Sequence, residues 1–207
     1  MIAIVDIGVG NLGAIKNMLR KVGAEARITN DAADIRAAGK IILPGVGAFD
    51  QGMEALAASG LTGVLNEQAL DVKKPVLGIC LGAQMLGHSS EEGRRPGLGW
   101  IDMKAVRFPK SKGLRVPHMG WNQITPLDRN GKSHDLFADA EDNVRFYFAH
   151  SFYLTCNDPA DVIATCDYGA SFAAAVARHN IQGVQFHPEK SHRFGALVLR
   201  NFARVPE

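Results

Sequence analysis

Cysteine is scarce in this chain: Cys80, Cys156 and Cys166 are the only three, an odd number with wide gaps. That count speaks against a disulfide framework and against a zinc site, whose ligands come in closely spaced sets. An excess of either charge is also lacking. Lys and Arg number 23 against 21 Asp and Glu, for a net charge of +2. The only modest basic concentrations, Arg94-Arg95 and Lys104 to Arg115, read as a loop or an exposed face rather than a stripe that tracks phosphates, so no nucleic-acid partner is expected. No apolar run approaches a membrane span, and no membrane association is expected. The opening Met1-Ile2-Ala3-Ile4-Val5-Asp6 has no basic region ahead of its apolar residues and meets an acid at once, so it reads as a strand rather than a signal peptide. The expected location is cytoplasmic. Internal repeats and low-complexity segments are absent from the sequence.

What is present is the composition of an ordinary globular protein, 46% hydrophobic and 21% charged over 207 residues, enough for one substantial core. The expectation is a single domain over 1–207. Strand-like and helix-like segments alternate through the first half: Ile2 to Val5, Ala14 to Val22, Ala26 to Thr29, Ala32 to Ala38, Lys40 to Leu43, then helices over Ala48 to Ala58 and Leu61 to Leu70. This order predicts an α/β fold with a mixed, mainly parallel sheet and helices on both faces. From Gly99 to Tyr168 prolines and glycines punctuate short apolar runs, which predicts an added antiparallel section. Phe172 to Arg178 and Ile181 to Phe186 form a predicted hairpin turning at His179-Asn180. Arg193 to Arg204 closes the chain as a helix with Phe194, Leu197, Val198 and Phe202 toward the core.

One stretch carries chemistry. Val76-Leu77-Gly78-Ile79 is a charge-free run suited to a strand buried on both faces, and it ends at Cys80, behind which Leu81 to Leu86 are good helix formers. Gly78-Ile79-Cys80-Leu81-Gly82 has the glycine-x-nucleophile-x-glycine spacing of a nucleophile elbow, whose small flanks permit a sharp, strained turn. A thiol there meets a helix N-terminus, which favours the thiolate. The bland alternative is a small buried core cysteine. A second stretch, Gln182 to Ser191, sets His187 and Glu189 two residues apart, on one side of an extended segment. Thiol, imidazole and carboxylate together are what cysteine nucleophile catalysis needs.

A rival site lies near the N-terminus. Gly8-Val9-Gly10-Asn11-Leu12-Gly13 matches G-x-G-x-x-G between a strand and a helix, and Asp31 follows at about the distance of an acid that holds a ribose hydroxyl. A dinucleotide-binding protein is therefore an alternative. Against it, Asn11 could cap the helix by itself, and no later stretch offers a hydride-transfer site.

With GICLGAQ around Cys80 and QFHPEKS around His187 and Glu189, the chain resembles the triad (class I) glutamine amidotransferases. Within that family DIGVGN, LPGVGAF, VPHMGWNQ and YFAHSFY are similar to the glutaminase subunits of imidazole glycerol phosphate synthases, from one end of the chain to the other. Ile7, Ala83, Ala149 and Phe152 depart from that pattern, without removing a triad group. The resemblance implies glutamine as substrate, Cys80 as nucleophile, His187 as acid and base, and Glu189 as its orienting carboxylate. It further implies the Val46 and Leu81 N–H groups as oxyanion donors, and Gly47, Gln84, Glu92, His150 and Ser151 around the substrate. Asn11, Trp121 and Lys190 would face a partner, the cyclase subunit, in a heterodimer. The first loop, with Gly8 and Gly10, would lie where ammonia leaves. No cofactor or metal is implied. An amidotransferase serving another synthase, and a thiol sensor built on Cys80, stay open as alternatives.

Overall fold

A computed structural model describes residues 1–109, 113–129 and 132–206, so positions 110–112 of the basic stretch from Lys104 to Arg115 lie outside the described residues. The chain opens with β1 (Ile2–Val5), α1 (Leu12–Lys21), β2 (Ala26–Thr29), α2 (Ala32–Ala37) and β3 (Lys40–Gly45). It continues through α3 (Phe49–Ser59) and α4 (Thr62–Asn66), a π-helical turn at Glu67–Asp71, then β4 (Val76–Cys80) and α5 (Leu81–Met85). Next come β5 (Ser89–Ser90), β6 (Met103–Arg107), β7 (His118–Pro126) and the small hairpin of β8 (Asp128–Arg129) with β9 (Lys132–Ser133). The last elements are β10 (Arg145–His150), β11 (Phe152–Cys156), β12 (Val162–Asp167), β13 (Ser171–Arg178), β14 (Ile181–Val184) and α6 (His192–Arg204).

The main sheet runs β10-β7-β12-β13-β14-β4-β3-β1-β2. Its β2, β1, β3, β4 and β14 are mutually parallel. Beyond β14 the strands β13, β12, β7 and β10 alternate in direction, β11 attaches antiparallel to β13, and β6 antiparallel to β11. The parallel strands are apolar at consecutive positions because both faces are covered, and the period of two deals their side chains to two cores. Ile2, Ile4, Ile42, Leu77 and Ile79 pack with Ile15 and Leu19 of α1 and Val198, Leu199 and Phe202 of α6. Ala3, Val5, Ile41, Leu43 and Val76 pack on the other face with Ile35 of α2, Phe49 and Leu56 of α3, and Leu65 of α4. Helices on both faces, with an antiparallel section beside the parallel strands, are the expected α/β class.

Several boundaries differ from expectation for local reasons. Pro44 and Gly45 continue β3 rather than forming the turn after it. The strand pairs with β1 only as far as Ile42 and with β4 as far as Gly45, so at Pro44 one side is already free and a missing N–H costs no ladder bond there. The helix expected over Leu61 to Leu70 is a five-residue α-helix passing into the π-helical turn. On α6 the buried arc is Gly195, Val198, Leu199 and Phe202, at helical spacing, so Leu199 takes the core place expected for Leu197.

One contact fixes where β4 hands over to α5. A Cβ on Gly82 would stand 1.8 Å from the Leu43 carbonyl oxygen of β3, and one on Gly78 would stand 2.8 Å from the Ala83 Cα. The Gly82→Ala protein should therefore be destabilised at or above the upper end of the usual overpacking range, about 3 kcal/mol, in urea denaturation. Gly13, inside α1, has open space where a methyl group would stand, and its replacement by alanine should instead stabilise by up to about 1 kcal/mol.

Candidate active site

The loops that leave β1, β3, β4 and β14 emerge at the carboxyl ends of neighbouring parallel strands, the edge at which open α/β sheets build sites. Cys80 ends β4 with φ +54° and ψ −110°, a region sparsely populated by side-chain-bearing residues, and it is 6% exposed. This is the strained elbow that the glycine spacing predicts. The helix behind it is short: α5 spans five residues, so its dipole is a small contribution.

The second group at this edge is His187. The hairpin of β13 and β14 delivers this residue, but His187 and Glu189 do not lie along an extended strand. Pro188–Lys190 form a 3₁₀ turn that folds the Glu189 carboxylate back, and Glu189 Oε1 accepts from His187 Nδ1 at 2.8 Å. The backbone of the turn is locked: the His187 N–H donates to the Tyr147 carbonyl at 2.9 Å, and Ser191 Oγ donates to the His187 carbonyl at 2.6 Å while accepting the Tyr147 N–H at 2.9 Å. Both side chains of the pair are about as buried as core residues, 3% and 2% exposed. Burial pulls the imidazole pKa down, but its interactions with Cys80 and Glu189 outweigh that and raise it to about 10. Glu189 Oε2 is buried with no hydrogen-bond partner among the described residues, so the carboxylate depends on the imidazolium for its compensation.

A cavity of about 330 Å³ opens over these groups. Of the residues singled out in the sequence, Cys80, His187, Val46, Leu81 and Gly47 line it, as do Gln84, Glu92, His150, Ser151 and Lys190. Glu189 stands behind His187, outside the lining. Trp121, 47% exposed, and Asn11 also lie outside it. Trp121 stacks on His192 with ring planes 10° apart, and Lys190 Nζ sits 5.5 Å from the Tyr147 ring centre. Glu92 is seated by a reciprocal clamp: its Oε2 accepts the Phe49 N–H at the start of α3, and Asp50 of α3 accepts the Arg94 and Arg95 N–H groups beyond it. Those backbone donors, Arg95 first, hold the Asp50 carboxyl below its ordinary pKa.

Behind the cavity lies a polar chain anchored on the Phe152 carbonyl, which accepts from His150 Nδ1 at 2.8 Å and from Gln84 Nε2 at 3.1 Å. A carbonyl only accepts, so His150 carries its proton on Nδ1 and its Nε2 must accept. His118 Nδ1, 3.0 Å away, therefore donates to it, and Asn122 Nδ2 donates to His118 Nε2 at 3.3 Å. Both histidines are neutral bases. Burial lowers His118 to about 4 and His150 to about 3, the carbonyl contact of His150 only partly opposing this.

Sequence reasoning passes over Gln185, fully buried, whose Nε2 lies 3.9 Å from Cys80 Sγ and whose Oε1 accepts from Gln84 Nε2 at 3.1 Å. It stands two residues before His187, and the same i, i+2 argument run backwards from the histidine reaches it. Ser191 and Asp50, which act by holding backbone, leave no signal of that kind. In the rival loop, Asp31 is the N-cap of α2, its Oδ1 accepting the Ala33 N–H at 2.6 Å, which explains its presence without a ribose. Asn11 occupies the N-cap position of α1 but makes no side-chain cap bond, contrary to expectation. Gly8 and Gly10 both take positive φ, and Gly10 lies against Pro44, a turn packed on β3. Among the described residues no group of three or more metal-ligating side chains is placed to hold an ion.

An elbow cysteine, an imidazole backed by a buried carboxylate, and a lined cavity come together at one edge of an α/β sheet, a set of groups suited to cysteine-nucleophile chemistry. The chain belongs to the class I glutamine amidotransferase family, whose sequence model matches residues 3–205. Within the family it is 52% identical to imidazole glycerol phosphate synthase subunit HisH 2 of Pseudomonas aeruginosa, over 99% of this chain and 100% of that one. It is 50% identical to the subunit HisH 2 of Methanococcus maripaludis, over 99% of each chain. A crystal structure described as a glutamine amidotransferase shares the fold, with a TM-score of 0.74 at 16% identity, over 97% of this chain and 96% of that one.

The two buried histidines generate a pH dependence of stability. Their native pKa values lie below the unfolded value of about 6.5, so the unfolded chain binds more protons in acid: their contribution is complete above that pH and is lost as pH falls toward 4. Denaturation between about pH 6 and pH 4.5 should show a slope reduced by about 1 kcal/mol per pH unit in His118→Gln relative to the unaltered chain. Identical slopes would contradict the neutral, buried assignment.

Proposed function

We propose that the chain hydrolyses glutamine to glutamate and ammonia as the glutaminase subunit of an imidazole glycerol phosphate synthase, in histidine biosynthesis, with Cys80, His187 and Glu189 as its triad. The observation that carries this reading is the buried His187, which lines one cavity with Cys80 and whose Nδ1 lies 2.8 Å from Glu189 Oε1. The Cys80 thiolate attacks the side-chain amide carbon of glutamine, and the imidazolium gives its proton to the departing nitrogen, releasing ammonia. Water then attacks the γ-glutamyl thioester with His187 as base, the C–S bond breaks, and glutamate leaves with the thiolate restored. The Val46 and Leu81 N–H groups, at the ends of β3 and β4, stabilise the tetrahedral oxyanions.

Recognition of the amino acid divides around the cavity. The Glu92 carboxylate, fixed at the start of α3, takes the α-ammonium, and His150 and Ser151 border the α-carboxylate. Gln84 has spent its amide donors on Phe152 and Gln185, so what it offers the ligand is its carbonyl oxygen. Gly47 completes the wall beside Val46. The whole chain, 1–207, serves as one amidotransferase domain in this reading, and its three free thiols suit a reducing, cytoplasmic setting.

Ammonia released at neutral pH would be trapped largely as ammonium, so a synthase partner must receive it directly. Val46, Met119 and Trp121 are large apolar side chains 42%, 65% and 47% exposed, at or near the mouth of the cavity, and support a cyclase-subunit interface there with Asn11 and Lys190. Trp121→Ala should weaken assembly with the cyclase subunit by about tenfold or more in titration calorimetry, and an unchanged affinity would remove Trp121 from that interface. For the activity itself, glutamate release from glutamine should rise when the liganded cyclase subunit is added and vanish in Cys80→Ala. Release that survives the substitution would overturn the triad.

A further inference from the structure

We infer that Gln185 is a second polar partner of the nucleophile, donating an amide hydrogen to the Cys80 sulfur and holding the thiolate in line for attack. This deepens the glutaminase reading and rests on it. The orientation of the amide follows from the hydrogen-bond chain. The Phe152 carbonyl can only accept, which fixes the Gln84 amide with its nitrogen inward; that nitrogen donates to Gln185 Oε1, which leaves Gln185 Nε2 facing the sulfur at 3.9 Å. Gln185 is fully buried, and its N–H donates to the Ala174 carbonyl of β13 at 2.9 Å, so the residue is held at both backbone and side chain. The sulfur thus has two polar side-chain partners among the described residues, this amide and the His187 imidazole.

The two contacts do different work. His187 must release its proton to the departing ammonia, and during that step it no longer provides a full positive charge. The Gln185 amide titrates nowhere in the working range and loses no proton at any stage. It therefore remains a donor to sulfur when the thiolate waits for glutamine and again when the thioester breaks and negative charge returns to sulfur. The amide thus meets Sγ as well as the imidazole does, in a turn whose backbone is itself strained. Gln84 supports this indirectly, as a positioning residue that sets the Gln185 amide.

The test compares Gln185→Met, which keeps length and loses the donor, with Gln185→Glu, which keeps shape and turns a carboxylate oxygen toward the sulfur. Two readouts are needed: steady-state glutamate release with the liganded cyclase subunit, and the rate of Cys80 alkylation by iodoacetamide against pH, followed by peptide mass spectrometry. Burial pushes Cys156 and Cys166 up to about 12, so Cys80 is the thiol followed near neutrality. Gln185→Met should lower kcat by about tenfold to a hundredfold with KM changed less than about threefold. In Gln185→Glu the alkylation profile should move to higher pH, because a facing carboxylate disfavours the thiolate. A Met variant with unaltered kcat, or a Glu variant whose alkylation profile superimposes on that of the unaltered chain, overturns the inference. Should one variant fail to fold by circular dichroism, the other decides alone. Alkylation needs no glutamine, so a shifted profile in a chain that releases no glutamate would sustain the Gln185 contact while sinking the glutaminase reading.

Discussion

The closeness of Gly82 to the Leu43 carbonyl is the constraint from which the placement of Cys80 follows. With no room for a methyl group between α5 and β3, the first turn after β4 lies directly on the neighbouring strand, and the chain reverses within one residue. Cys80 is that residue, and its positive φ is the local cost of the reversal, about 1–3 kcal/mol. The cost is tolerated because the surroundings over-determine it: β4 is paired on both sides, by β3 and β14, through the residues leading to the elbow. Strain at the thiol and order in the sheet are two sides of one packing arrangement.

Electrostatics completes what packing begins. A thiol at the end of a buried strand is inert unless a charge stabilises its anion, and a five-residue helix supplies little of one. The 3₁₀ turn after β14 sets an imidazolium against the buried carboxylate at the same edge. The other two buried histidines show the opposite outcome of the same burial. His118 and His150 have neutral donors and acceptors around them and no carboxylate, and desolvation keeps both uncharged. One side chain type is thus charged in one place and neutral in another, according to whether the Cys80 sulfur and the Glu189 carboxylate stand beside it.

The parts of this that the sequence carried are those in which chemistry and local geometry share a stretch of chain. Gly78 to Gly82 announces both the turn and the cysteine it carries, and the apolar runs of β1, β3 and β4 announce a sheet covered on two faces. The spacing of His187 and Glu189 pairs them correctly in space for an incomplete reason, since a tight turn and not a strand brings them together. Contacts that join distant segments are silent. Nothing near Gln185 says that a glutamine 101 positions earlier orients its amide, and nothing near Asp50 says that it grips the backbone of Arg94 and Arg95. The glycine-rich loop shows the converse failure, a pattern with a nucleotide's spacing whose acid, Asp31, is occupied in capping a helix.

The central claim is that one thiol of three is activated, by His187, in a cavity shaped for glutamine. Its most direct test is covalent labelling with a chloroketone analogue of glutamine, mapped by peptide mass spectrometry in the complex with the cyclase subunit. The account predicts a single adduct on Cys80, suppressed by excess glutamine and slowed by at least about a hundredfold in His187→Asn. An adduct on Cys156 or Cys166, or labelling of Cys80 at an unchanged rate without the histidine, would contradict it.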